Sequence, residues 1–275
     1  MDVQVTNDFR VDVEKLIRNQ RNKFFRGLPK CVINHIKKVV REKQLNEVCS
    51  YSSGYTGFDF IRKNMEFLNI SYKKINFENV PKSGRFIFVC NHPLGGIDYY
   101  SAILSVADFY PNIKTIANEL LMHVAPIKDL FLPVNVFGKN SEKIKENIFR
   151  CMADPNLQIM TFPAGVVARK VNGKLDDGHW NKSFIKYAVE FKRDVVPVFI
   201  EAQNSKKFYR IYKIRRFFGI KTNLELFMLP QELLKQKNKT IKLYFGKPIS
   251  YKLFDNSITP FEHAQHIKKI VYELK

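Results

Sequence analysis

The stretch "FIFVCNHPLGGIDYYSAI", residues 86–103, carries the fold in miniature. Phe86 to Cys90 are apolar at consecutive positions, the mark of a strand buried on both faces. "IDYYSAILSVADFY", which begins at Ile97, has helical character. Between them, Pro93 disfavours a helical conformation at His92, while Gly95 and Gly96 permit an unusual backbone path. A strand, a tight turn and a helix therefore place His92 at the strand's carboxyl end and Asp98 at the start of the helix. Ligands of open α/β sheets bind outside these strand ends.

The same alternation runs outward from this stretch. "IKTIAN", "LPVNVFG", "LQIMTFP", "DVVPVFIEA" and "TIKLYFG" read as further strands, with helical "SEKIKENIFRCMAD" and "NKSFIKYAVEFK" between them. This predicts an α/β fold, a mixed central sheet flanked by helices, over residues 71–275. Residues 1–70 read instead as an N-terminal helical region. In "LPKCVINHIKKVVREK", Leu28, Cys31, Val32, His35, Ile36, Val39 and Val40 form an apolar stripe at helical spacing, and a second helix covers "TGFDFIRKNMEFL". Such a region fits either a layer packed on protein or one lying against lipid.

Composition narrows the partners. The 275 residues are 45% hydrophobic and 26% charged, an ordinary globular balance, but 46 Lys and Arg against 26 Asp and Glu leave +20. That charge favours an acidic partner: nucleic acid, anionic lipid or an acidic carrier protein. The 24 Phe and 12 Tyr suit a membrane interface better than phosphate tracking, and no RNA-binding motif is present. Cys31, Cys49, Cys90 and Cys151 have no C-x-x-C spacing, so neither zinc nor a disulfide framework is indicated. No apolar run approaches the roughly 20 residues of a membrane span, and the first ten residues are polar. The expectation is a chain on the cytoplasmic side of a membrane, peripheral to it.

The His92 and Asp98 pair has a definite chemistry. A neutral imidazole takes a proton from an attacking hydroxyl or amine, and a carboxylate fixes its tautomer and stabilises the imidazolium. A lone histidine is more often structural, so the second motif, "TFPAGVVARK", decides the reading. With it the chain resembles the glycerolipid acyltransferase superfamily, which contains the bacterial lysophosphatidate acyltransferases. Asn91, His92 and Asp98 match that family's first block; Phe162, Pro163, Gly165 and Arg169 match the block that usually reads F-P-E-G-T-R. "LPVNVFGKN", with Lys139, stands loosely for the intermediate block, and "VVPVFI" around Pro197 for the fourth. More narrowly, "NHPLGGID", "FPAG" and "WNKSFIKYA" resemble the lyso-ornithine and lyso-glycine lipid acyltransferases and haemolysin-like proteins.

The resemblance implies an acyltransferase that moves a fatty acyl group from acyl carrier protein or coenzyme A to a lipid acceptor, with no metal and no other cofactor. His92 and Asp98 would be catalytic. Asn91, Gly95, Gly96, Lys139, Phe162, Pro163, Gly165 and Arg169 would bind substrate, with Gly165 offering N–H groups to an oxyanion. Two departures stand out. Five residues rather than four separate His92 from Asp98, an insertion that the glycine pair can absorb as a bulge. Ala164 replaces the usual glutamate, which implies an altered acceptor headgroup. An N-acyltransferase of amino-acid lipids would use similar base chemistry, and a non-catalytic lipid-binding protein would use the basic aromatic surface alone. That surface is "KKFYRIYKIRRFFGIK", residues 206–221. Asp176, Asp177 and His179 form a contiguous set in a glycine-containing loop and do not make a convincing metal site.

Overall fold

The structure, a computed structural model, describes residues 9–19, 26–135, 140–171, 173–220 and 223–275, with Leu224 as backbone only. The chain forms two compact units, residues 71–203 with 240–275, and residues 1–70 with 204–239. The stretch 204–239, which the sequence pattern leaves with the sheet, thus packs with the helical residues. It lies between a strand that ends at Glu201 and one that begins at Thr240.

The first unit is built on a seven-stranded sheet. Its strands are β1 (Ser71–Ile75), β2 (Phe86–Cys90), β3 (Ile113–Asn118), β4 (Phe131–Val134), β5 (Gln158–Thr161), β8 (Asp194–Glu201) and β9 (Thr240–Phe245), in the order β1-β9-β8-β2-β5-β3-β4. Every pairing is parallel except β8 with β9. Two short strands, β6 (Arg169–Val171) and β7 (Lys174–Asp176), pair separately as an antiparallel hairpin. β1, with the sequence "SYKKI", hides from a hydrophobicity reading because it is an edge strand bonded on one side only, where lysines are tolerated.

Alternation along β2 sends Ile87 and Val89 to one face of the sheet. There they join Ile159 and Val195 in a core closed by α6 (Glu142–Ala153), α7 (Ser183–Glu190) and α10 (Pro260–Tyr272), through Met152, Phe184 and Ile267. Phe86 and Phe88 point the other way, toward the ring of Tyr110 just past α5 (Ile97–Ala107). β2 is therefore buried at all five positions, as its unbroken apolar run requires. Pro197 sits inside β8 where the register on the β9 side shifts, between the Val195–Ile249 bridge and the Val198–Phe245 pair, and its carbonyl still accepts the Gly246 N–H (2.9 Å).

One buried charge ties this core together. The Arg193 side chain is fully buried and donates to the carbonyls of Met152 (2.9 Å), Leu157 (2.8 Å) and Asp154 (2.6 Å). These are the orphan acceptors at the end of α6 and the entry to β5. Burial pulls the guanidinium down to about 10, so it stays charged at neutral pH.

The helical unit contains α1 (Val13–Arg18), α2 (Lys30–Val40), α3 (Glu42–Tyr51), α4 (Gly57–Phe67), α8 (Lys206–Phe217) and α9 (Leu229–Leu234). Val13 and Ile17 of α1 pack on Ile33 and Val40 of α2, with Ile36 half-buried beside them. Cys31, Val32 and His35 of the expected stripe remain exposed. Ser205 caps α8 and is itself held by the buried Glu232 carboxylate (2.7 Å). At the far end, Arg215 donates to Glu225 from Nε (2.8 Å) and Nη2 (3.3 Å), and from Nη1 to the Ile220 carbonyl (2.7 Å). Among the described residues no helix is long and apolar enough to cross a membrane.

Arg193→Met strips several buried carbonyls of their donor at once. We expect it to lower unfolding stability by about 3 kcal/mol or more in urea titration, well beyond the effect of losing one hydrogen bond.

Candidate active site

The carboxyl ends of β2 and β5 lie side by side, because the two strands pair in parallel with Val89 opposite Thr161. The chain leaving β2 carries His92, and the chain leaving β5 carries Phe162. Their rings meet with centroids 4.7 Å apart. Residues 70 apart in sequence are thus brought together by sheet register alone.

Asp98 returns from the first turn of α5, near the positive end of the helix. It is wholly buried, and its Oδ2 lies 2.9 Å from His92 Nδ1. Oδ2 also accepts the Leu94 N–H (2.8 Å) and the Gly95 N–H (3.0 Å), while Oδ1 accepts the Tyr99 N–H (2.8 Å). Burial opposes the charge on this carboxylate. The His92 ring and the main-chain donors outweigh it, so Asp98 is held below its ordinary range.

Since an ionised carboxylate only accepts, His92 must donate from Nδ1, which leaves Nε2 as the basic atom of the neutral ring. Nε2 has no hydrogen-bond partner among the described residues, and the side chain keeps 18% of its surface exposed. Burial alone would lower the proton affinity of this imidazole. The charge and hydrogen bond of Asp98, with a contribution from Asp177, raise it above the ordinary value, and Arg169 pulls against them.

The glycine pair does what the longer spacing demands. Gly95 has φ +96°, a left-handed conformation that glycine adopts without strain, and this points its N–H back at Asp98. Gly96 then caps α5. The extra residue is absorbed in a turn wrapped around the carboxylate. Of the two glycines expected to touch substrate, Gly95 donates to Asp98 and Gly96 opens the helix, its carbonyl accepting the Tyr100 N–H (3.0 Å).

Other expected contacts also turn inward. Asn91 is buried and bridges to β8, accepting from the Ile200 N–H (2.7 Å) and donating to the Ile200 carbonyl (3.1 Å). Its amide is consumed in fastening β2 to β8. The Gly165 N–H, expected to face an oxyanion, donates to the Phe162 carbonyl (3.0 Å) and closes a turn, with φ +64° at Gly165. Pro163 is buried, and its carbonyl accepts from the Asn181 N–H (2.9 Å). Arg169 opens β6 and donates to the carbonyls of Val167 and Ala168, close enough to His92 to act on its charge. Lys139 lies outside the described residues. Cys90 is fully buried on the opposite face of the strand from Asn91, and burial pushes its thiol far up, so no nucleophilic thiolate stands here.

Sequence reasoning missed Asp177. Its Oδ2 accepts the His92 main-chain N–H at 3.2 Å, and its Oδ1 accepts from Trp180 Nε1 (3.1 Å) and the Tyr272 hydroxyl (2.9 Å). The adjacent Asp176 pairs with Lys268 (2.5 Å) and accepts from the Gly178 N–H. A buried Trp three residues after Asp177 was the available signal, since an indole N–H in a core needs an acceptor.

Two relatives are similar over nearly their whole length. Both are named lyso-glycine lipid O-acyltransferase: one from Bacteroides thetaiotaomicron, 36% identical over 97% of this chain and 98% of its own, and one from Phocaeicola vulgatus, 35% identical over 98% of each. Among solved structures, the 1-acyl-sn-glycerophosphate acyltransferase PlsC from Thermotoga maritima aligns with 17% identity and a TM-score of 0.46, over 94% of this chain and 83% of its own. The family model described as "Acyltransferase" matches residues 15–275. A sheet that delivers a carboxylate-bound imidazole to its strand ends, in a chain so similar to named O-acyltransferases throughout, leads to one assignment: the protein belongs to the acyltransferase family and is a lipid acyltransferase.

Proposed function

We propose that the protein transfers a fatty acyl group from an acyl carrier protein or coenzyme A thioester to the hydroxyl of a lyso-lipid, with His92 as general base. The observation that carries this reading is the His92 Nδ1 to Asp98 Oδ2 bond of 2.9 Å, which turns a basic Nε2 outward from the strand ends. A lyso-glycine lipid is the acceptor favoured by the names of the two relatives. Ala164 in place of the family's glutamate fits an acceptor other than a glycerol phosphate.

In the reaction, Nε2 takes the proton of the acceptor hydroxyl as that oxygen attacks the thioester carbonyl. The tetrahedral intermediate collapses by breaking the carbon–sulfur bond. The departing thiolate receives the proton back from the imidazolium, and an ester and a free thiol leave. Asp98 holds the ring in the tautomer that makes Nε2 basic and stabilises the imidazolium between the two proton transfers. The thioester is already activated, so the attack is direct and needs no acyl-enzyme. Arg169, within electrostatic reach of His92, is the cation placed to meet an anionic part of either substrate.

The partner surface is an anionic membrane face, met by the tip of α8. Phe217 and Phe218 are 84% and 68% exposed, Ile214 and Ile220 are exposed beside them, and Lys213 and Arg216 are exposed between. The buried Arg215–Glu225 pair braces this tip, so the rings stand out on a fixed scaffold. Apolar rings entering the headgroup layer with cations at their flanks suit a peripheral protein, each well-placed cation contributing about 1 kcal/mol.

Acyl transfer from acyl carrier protein or coenzyme A thioesters to a panel of lyso-lipids, read by mass spectrometry, tests the reaction. We expect His92→Ala to lose about 10²–10⁴-fold in kcat/KM, and undiminished transfer in that variant would reject His92 as the base. Because the base works unprotonated and its pKa is raised, kcat/KM should climb with pH through a midpoint above the roughly 6.5 of a free imidazole. In Asp98→Asn the midpoint should move to lower pH while the rate collapses.

Vesicle flotation tests the surface. The protein should float with vesicles rich in phosphatidylglycerol and not with neutral phosphatidylcholine. Replacing both Phe217 and Phe218 by Ser should weaken that binding by at least about tenfold.

A further inference from the structure

We infer that Asp177 is a positioning residue for His92, gripping its main chain from the end of the β6–β7 hairpin and placing a second negative charge within reach of its ring. The His92 peptide is held from both sides by the same hairpin. Its carbonyl accepts the Ala168 N–H (2.7 Å), one residue before β6, and its N–H donates to Asp177 Oδ2 (3.2 Å), one residue after β7. Arg169 and Asp176, the first pair of the hairpin, lie opposite each other, so Ala168 and Asp177 continue its two strands as a clamp. The hairpin fixes where the base stands, while Asp98 fixes how its ring is turned.

The partners of Asp177 favour its ionised form. It is 2% exposed, and the His92 N–H and Trp180 indole N–H that reach it can only donate. Burial pushes the Tyr272 phenol far up, and Asp177 adds to the rise, so Tyr272 also remains an O–H donor. A protonated Asp177 would leave both N–H donors poorly served and could pass its proton only to the Tyr272 oxygen. Burial holds this carboxyl above its ordinary value, and the donors with the Lys268 charge offset that rise only in part. The charged and titratable groups facing the pair are thus Asp98 and Arg169 about His92, and Tyr272, Lys268 and Asp176 about Asp177. An unpartnered carboxylate would be expensive at such depth; one held by three donors and directed at the base has a use there.

The catalytic part of this inference rests on the acyl-transfer reading; the clamp itself does not. The full-length protein, labelled at histidine, is titrated by NMR as wild type, Asp177→Asn and Tyr272→Phe, with His92→Ala assigning the resonance. We expect the His92 ring of Asp177→Asn to titrate at lower pH than wild type, whereas Tyr272→Phe, which keeps the carboxylate, titrates as wild type does. In the transfer assay, Asp177→Asn should lose about tenfold or more in kcat, with its acidic limb displaced in the same direction. No displacement in Asp177→Asn, or an equal one in Tyr272→Phe, would overturn the inference. Should Asp177→Asn not fold, hydrogen exchange of the wild type decides. A His92 amide slower than exposed loop amides supports the clamp, and one as fast rejects it. A displaced titration in a protein that transfers no acyl group would support the clamp and reject the acyl-transfer reading.

Discussion

A carboxylate with no access to water dictates the geometry of the turn from His92 to Tyr99. Asp98 lies at full burial, where a bare charge is untenable, so the chain must surround it with donors. The turn from His92 to Tyr99 is the result: main-chain N–H groups of Leu94, Gly95 and Tyr99 converge on the carboxylate, and the imidazole supplies the remaining partner. Charge satisfaction and ring orientation are one arrangement. The ring cannot turn its Nδ1 away without leaving Asp98 short of a donor in the core.

The remainder of the site follows from fixing that turn to the sheet. Asn91 fastens the end of β2 to β8 through the Ile200 peptide, and the hairpin grips His92 through Ala168 and Asp177. His92 is therefore anchored to a strand behind it, a helix beside it and a hairpin around its peptide. Such over-determination is what the proposed role of His92 in proton transfer requires. It also explains why several residues of the recognisable motifs touch protein rather than open space. Asn91, Gly95, Gly96 and Gly165 spend their polar groups building the platform on which His92 and Phe162 meet.

Much of this was legible in the chain. Consecutive apolar residues at 86–90 could only be a doubly buried strand, and Pro93 with two glycines could only be a turn. Strands such as "IKTIAN" and "TIKLYFG" emerged at the positions their patterns predict. β1 did not, because a lysine-bearing edge strand takes its stability from one neighbour and leaves little hydrophobic trace. The helical unit's second part, residues 204–239, was equally hidden: a local pattern says that α8 is a helix but not which unit it joins.

By itself, the sequence determined the α/β alternation, the strand–turn–helix at His92, and the pairing of that histidine with Asp98, since all three depend on residues close along the chain. Tertiary structure alone decided the partners that arrive from afar: Phe162 over the ring, Asn91 on Ile200, and Asp177 on the His92 peptide. Those contacts span 70 to 109 positions and depend on strand order and register, which no local periodicity encodes.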